Sequence, residues 1–272
     1  MSETPRTEAP SAAPAPPAGR AAVVTGAGRG VGAAIARELA AAGASVLLAA
    51  RTAREVEGVA ADLRAAGGRA AAAVCDVADP DAVAGLGRTA LDAFGRVDIL
   101  VNNAGTAFAA PIVRTTIEDW NRLLAVNATS AFLCTRMFLP GMFERGWGRI
   151  VNIASTAGLA GDRYISAYAA SKHALVGLTR AAAAEAAARG VTVNAVCPGY
   201  LATDMTEASV ARIMAATGLS REAATTRLRE RNPQRRLIEP QEVAAAVLYL
   251  CTEGARGVNG ETLVLDGGEL RR

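Results

Sequence analysis

Residues 21–36 read Ala-Ala-Val-Val-Thr-Gly-Ala-Gly-Arg-Gly-Val-Gly-Ala-Ala-Ile-Ala. The apolar run Ala21–Thr25 predicts a buried β-strand, and the alanine-rich stretch after the glycines predicts a helix to about Ala42. Between them the spacing Thr-Gly-x-x-x-Gly-x-Gly makes a strand-to-helix turn. Gly26 permits the tight turn, Gly30 lets the backbone approach a ligand, and Gly32 lets the helix pack on the strand. A helix starting there offers free N–H groups and its positive dipole end, around Arg29 and Val31, to an anion such as a pyrophosphate. A glycine-rich turn alone is a weak signal. Placed between a strand and a helix, it predicts a dinucleotide site.

The alternation continues outward. Strands are expected at Ser45–Ala50, Ala70–Cys75, Asp98–Asn102, Arg149–Ile153, Val191–Val196 and Thr262–Leu265. Helices are expected at about 54–66, from Asp79-Pro80, over 116–145 with an interruption at Pro140-Gly141, and over 166–188 and 240–251. Residues 204–232 read as a polar helical insertion. Near-continuous apolar strands alternating with helices specify a parallel sheet covered on both faces. The expected fold is therefore a single-domain, doubly wound Rossmann fold of α/β class, with a parallel seven-stranded sheet spanning residues 20–272. Ligands are expected beyond the carboxyl ends of the strands. Residues 1–19, rich in Pro and Ala, are expected to be a disordered tail.

Composition narrows the function. A net charge of +3 on 272 residues, with aromatics at only 4%, gives no nucleic-acid footprint. Cys75, Cys134, Cys197 and Cys251 form no CxxC pair and are expected to be reduced core thiols. His173 is the single histidine, so no metal centre is expected. No apolar run of the roughly 18–20 residues that span a bilayer is expected, so no membrane partner is foreseen. The first residues lack an apolar signal core, which makes the expected location cytoplasmic.

Tyr168-Ala-Ala-Ser-Lys172 sets a phenol and an ammonium on one helix face, four residues apart. A nearby cation is expected to lower the phenol's pKa toward the operating pH, where general acid–base work is efficient. Lys172 is the only lysine among 29 basic residues. A compact ammonium can meet both hydroxyls of a ribose beside a phenol, which a planar guanidinium does not match.

The Thr-Gly-x-x-x-Gly-x-Gly and Tyr-x-x-x-Lys patterns together resemble the short-chain dehydrogenases/reductases, over about residues 20–268. The resemblance implies further site residues. Asp76, with Val77 beside it, matches the adenine contact. Asn102-Asn103-Ala104-Gly105 matches the motif after the fourth strand. Pro198, Gly199 and Thr203 match the segment around the nicotinamide carboxamide. Ser155 matches the catalytic serine, with Thr156 as the neighbouring hydroxyl. Asn127 matches the fourth catalytic position, whose side chain helps hold a water beside the lysine. The implied reaction is hydride transfer between a nicotinamide and a carbonyl, with Tyr168 as proton donor.

Cofactor choice is read from the end of the second strand. Ala50-Arg51 stands where NAD-preferring folds place an acid. Arg51 and Arg29 can pair with a 2′-phosphate, and no carboxylate is expected there to repel it. NADP(H) is thus the preferred expectation, with NAD(H) as the alternative.

Residues 198–206 and 259–268 resemble 3-oxoacyl thioester reductases. The segments 146–155 and 168–173 also resemble aromatic polyketide ketoreductases, although Thr106–Ala110 departs from their glycine-rich segment. The expected substrate is a small carbonyl or alcohol compound, either free or carried on CoA or a carrier protein. The insertion 204–232 is expected to form a lid, with Met205, Ile213, Met214 and Leu219 inside. Arg221, Arg227, Arg229, Arg231, Arg235 and Arg236 form either a basic rim or a solvated face. The alternatives are an NAD-linked dehydrogenase of a hydroxyacyl or alicyclic alcohol and a non-catalytic dinucleotide-binding protein. The resemblance implies a homotetramer.

Overall fold

The computed structural model describes residues 17–270. Seven parallel strands stand in the order β3-β2-β1-β4-β5-β6-β7. They are β1 (Ala21–Thr25), β2 (Ser45–Ala50), β3 (Ala70–Val74), β4 (Ile99–Asn102), β5 (Gly148–Ile153), β6 (Val191–Pro198) and β7 (Thr262–Leu265). The strand order reverses between β1 and β4, which opens a crevice at their carboxyl ends.

Both faces of the sheet are covered because successive side chains point to opposite sides and both sets are apolar. On one face Val24, Leu48, Ile99 and Val101 pack with α1 (Gly30–Ala41), α2 (Ala53–Ala65) and α9 (Pro240–Leu250). On the other, Val23, Leu47, Leu100 and Ile150 pack with α3 (Pro80–Phe94), α5 (Ser130–Arg145) and α6 (Ser166–Ala186). The expected start of α3 is confirmed: the Asp79 carboxylate accepts from the Asp81 N–H at 2.9 Å, with Pro80 in the first turn. The remaining helices are α4 (Ile117–Leu124), α7 (Asp204–Thr217) and α8 (Arg221–Arg229).

Three expectations are corrected. The long helical region does not break at Pro140-Gly141, since α5 runs through both. Pro140 and Arg136, whose carbonyl Pro140 cannot serve, both lie on the exposed side, where solvent tolerates the lost bond. The irregularity falls earlier, in a π-helical turn at Ala125–Thr129, where the Ser130 N–H reaches back to the Ala125 carbonyl. Secondly, that turn joins α4 and α5 into one run, Ile117–Arg145, of 29 residues, long and apolar enough by length and composition to cross a membrane. Its inner side packs on the sheet through Cys134, Phe138 and Met142, and Leu123 of α4 is buried. Thirdly, the chain just before Arg20 is packed on the domain. Residues 1–16 of the expected tail lie outside the described residues, but the Gly19 N–H donates to Gly43 at 3.0 Å.

Candidate active site

The crevice is built first from backbone. Gly26 turns the chain at φ +64°, and a Cβ there would lie 2.9 Å from the Ala104 Cα. A Cβ on Gly32 would lie 2.2 Å from the Gly26 carbonyl oxygen, so only glycine lets α1 come this close to β1. Asn103 fixes the turn to β4: its amide donates to the Thr25 and Gly26 carbonyls at 2.9 and 3.1 Å. The Thr25 hydroxyl accepts from the Asn103 and Ala104 N–H groups at 3.0 and 3.1 Å.

Above this floor, Gly30 faces open space, with only the Thr203 methyl within 4 Å of a built Cβ. Val31 lies in the first turn of α1, which has no side-chain cap and no acid in that turn. Free N–H groups, a positive dipole end and a gap where side chains are missing together fit a dinucleotide pyrophosphate. Asp76 lies exposed past the end of β3, its carboxylate accepting from the Ala78 N–H at 3.0 Å, and Val77 is buried beside it. Pro198 closes β6, and the Gly199 N–H donates to Leu265 at 2.9 Å, tying the segment before Thr203 to β7.

At the far corner the structure amends the expectation. Arg51 is exposed past β2 and has no hydrogen-bond or ion-pair partner among the described residues. Arg29 instead pairs with Asp204 at 3.2 Å, which links the glycine turn to the start of α7. A carboxylate does stand in this corner: Glu55, in the first turn of α2, lies against Gly28. A Cβ on Gly28 would meet the Glu55 Cβ at 2.7 Å and its Oε2 at 3.0 Å. It was missed because it comes five residues after the strand, where the helical turn swings it back onto the glycine turn.

Tyr168, Lys172, Ser155 and Asn127 converge on the other side of the crevice. Ser155 follows β5, accepts from the Ala157 N–H at 3.1 Å, and is hydrogen-bonded to the Tyr168 hydroxyl. Lys172 is buried and donates to the Ile153 carbonyl at 2.8 Å, with Nζ 6.0 Å from the Tyr168 ring centre. Gly105 lies beside that ammonium: a Cβ there would sit 3.6 Å from Nζ, an ordinary contact.

The protein's own groups do not lower the Tyr168 phenol, contrary to expectation. Burial pushes it up, and the Ser155 hydrogen bond offsets this only in part. Burial lowers the Lys172 ammonium to about 8.

The Asn127 side chain is hydrogen-bonded within the protein. Its amide donates to the Thr106 carbonyl and the Ser171 hydroxyl, both at 2.9 Å, and accepts from the Thr106 N–H at 2.8 Å. Both amide hydrogens are therefore engaged in bracing the chain after β4 against α6, and neither is left for a water. Thr25, Thr106, Ser171 and Ile153 belong to the site as supports. Sequence reading missed them because each acts through a bond between segments far apart in the chain, which no local pattern advertises.

Helices α7 and α8 stand beside the crevice. Their inner side is Val210, Ala224 and Leu228, with Ile213 and Met214 partly covered, while the expected Met205 and Leu219 are exposed. Of the arginines, Arg221 pairs with Glu207 and Arg236 with Glu242. Arg231 binds Asp162 and Glu269 and lies over the Tyr200 ring at 5.5 Å. Arg227, Arg229 and Arg235 have no ion-pair partner among the described residues. The four cysteines are buried, as expected; burial pushes Cys75 up to about 11 and Cys134 and Cys251 up to about 12.

Comparison with known proteins agrees with this geometry. The profile of the family described as short chain dehydrogenase matches residues 20–213. D-beta-hydroxybutyrate dehydrogenase of Rhizobium meliloti is 38% identical over 254 residues, covering 92% of this chain and 98% of the relative. The 3-oxoacyl-[acyl-carrier-protein] reductase of Synechocystis sp. is 40% identical over 249 residues, covering 91% and 95%. A crystal structure of a Phe-to-Trp variant of actinorhodin polyketide ketoreductase with NADPH superposes with a TM-score of 0.90 at 38% identity, covering 93% of this chain and 98% of that one.

Proposed function

This chain belongs to the short-chain dehydrogenase family, and on that premise we propose that it is an NADPH-preferring ketone reductase whose substrate is a 3-oxoacyl thioester or a related carbonyl. The enzyme is a nicotinamide-dependent oxidoreductase acting between CH–OH and C=O. The observation that carries the chemistry is the hydrogen-bonded Ser155–Tyr168 pair set above the buried Lys172.

A bound nicotinamide dinucleotide supplies the hydride. The glycine turn, with Asn103, Ala104 and Gly105 beneath it, holds the pyrophosphate and leaves room for the ring. Ser155 donates a hydrogen bond to the substrate carbonyl oxygen and steadies the developing alkoxide. Tyr168, kept protonated by burial, gives its proton to that oxygen. Lys172 faces the ribose hydroxyls and stabilises the phenolate that forms. Asn127 acts as a positioning residue, fixing Thr106 and Ser171 on either side of the lysine. Arg51 meets the 2′-phosphate. Pro198, Gly199 and Thr203 border the carboxamide, while Asp76 and Val77 border the adenine.

Helices α7 and α8 serve as the lid of one catalytic domain. Arg227, Arg229 and Arg235, free of ion pairs, would meet the phosphates of a CoA or carrier-protein thioester; the other three arginines of the expected rim are engaged in holding the lid. The exposed Ile117 and Phe132 suit the outer side of α4–α5 to subunit contact in a homotetramer, and the reading places the enzyme in the cytoplasm. A second reading, oxidation of a hydroxyacyl substrate with NAD, draws on Glu55 and on the hydroxybutyrate dehydrogenase relative.

Initial rates of NADPH and NADH oxidation with a short 3-oxoacyl thioester and simple ketones test the proposal. NADPH-dependent turnover that Tyr168→Phe abolishes is expected. Turnover only in the alcohol-oxidising direction with NAD would replace it with the second reading.

A further inference from the structure

We propose that Glu55 is a cofactor-specificity residue that holds the 2′-hydroxyl of NAD(H) and opposes the 2′-phosphate of NADP(H), so that this enzyme accepts both cofactors. Three observations converge. The Glu55 side chain lies directly on Gly28 of the glycine turn, with its Oε2 at 3.0 Å from a Cβ built there. It is half-buried, yet its carboxylate has no hydrogen-bond or ion-pair partner among the described residues. Arg29, the other side chain of the turn with charge to offer, is paired with Asp204 instead.

In a doubly wound fold the adenosine ribose lies in the corner between the glycine turn and the end of the second strand. Here Gly28, the exposed Arg51 and Glu55 bound that corner. A carboxylate accepts a hydrogen bond from a ribose hydroxyl but repels a phosphate, while a guanidinium does the reverse. The corner thus carries one group of each preference, four residues apart. Glu55 sits in the N-terminal turn of α2, where the helix dipole favours a negative charge.

The inference rests on the reading that Arg51 meets the 2′-phosphate, and the variants separate the two. Dissociation constants for NADPH and NADH, read from nicotinamide fluorescence, need no substrate. Glu55→Gln is expected to tighten NADPH and weaken NADH, moving their ratio by about tenfold, the size of a hydrogen bond to a charged group. Glu55→Asp, which keeps the charge, is expected to move the ratio less than about threefold. Added salt should shrink the effect of Glu55→Gln on NADPH. An unchanged ratio in Glu55→Gln would overturn the proposal. So would an equal shift for both cofactors, or an equal response to the two variants, because contact with Gly28 would then explain it without charge. Arg51→Ala is expected to weaken NADPH alone. If it has no effect while Glu55→Gln still moves the ratio, the Arg51 reading fails and the Glu55 inference stands.

Discussion

The Lys172 ammonium donates to the Ile153 carbonyl at 2.8 Å, so the last residue of β5 holds the chain's only lysine in place. Ser155 follows two residues later, which means one strand end sets both the hydroxyl proposed to polarise the substrate and the cation. Lys172→Arg tests whether charge alone suffices. The guanidinium is planar and longer than the ammonium that donates to Ile153. Turnover is expected to fall by roughly 10²–10⁴-fold, the usual share of acid–base catalysis. A circular dichroism melt close to that of the parent would show that the loss is chemical and not a failure to fold.

The same ammonium sets a pH limb. With burial lowering Lys172 to about 8, the cation is complete below that pH and is lost as pH rises through it. Reduction needs the cation to stabilise the phenolate, so its kcat/KM is expected to decline above about pH 8. The phenol itself is held above its ordinary value and stays a proton donor throughout. Lys172→Met should remove this limb along with most of the rate. A flat profile from pH 7 to 10 in the parent enzyme would rule out the lysine's part.

Glycine positions separate close approach from mere permissiveness. A Cβ on Gly32 would strike the Gly26 carbonyl at 2.2 Å, so the backbone must move and Gly32→Ala is expected to abolish cofactor binding or folding. Gly58 sits on the exposed side of α2 with nothing within 4 Å of a built Cβ. Gly58→Ala should instead stabilise the protein by about 0.5–1 kcal/mol, because alanine is the better helix former. Paired thermal melts and NADPH titrations measure both.

These glycines also show how much was legible in the chain. Gly26, Gly30 and Gly32 declare their roles by spacing, and Tyr168 and Lys172 declare theirs by helical period. What stayed hidden depends on how separate elements meet. Glu55 reads as a surface acid until α2 folds back onto Gly28. Pro140 reads as a helix break until Arg136 proves to face solvent. The arginines between 221 and 236 read equally as a basic rim or a solvated face until Glu207, Glu242, Asp162 and Glu269 claim three of them. Local pattern fixes an element's type and its inner face, but charge pairing across elements follows from packing that no window of sequence contains.

Arg231 is the case where such pairing reaches the site. It follows α8 and binds Asp162 of the loop beyond β5 and Glu269 near the chain's end, the latter at 2.8 Å, while stacking over Tyr200 beyond β6. One guanidinium thus gathers three segments that border the crevice. Its two carboxylate partners raise it above its ordinary value despite the opposing effect of burial. Lysine keeps the charge but cannot present a fork to two carboxylates. Arg231→Lys is therefore expected to loosen the lid without touching the cofactor end. The side chain is partly exposed, so solvent screening limits the stability loss to about 1 kcal/mol. The KM for a 3-oxoacyl thioester should rise several-fold, while the NADPH dissociation constant stays put. A matching rise in both would place the fault in the whole crevice instead of the lid.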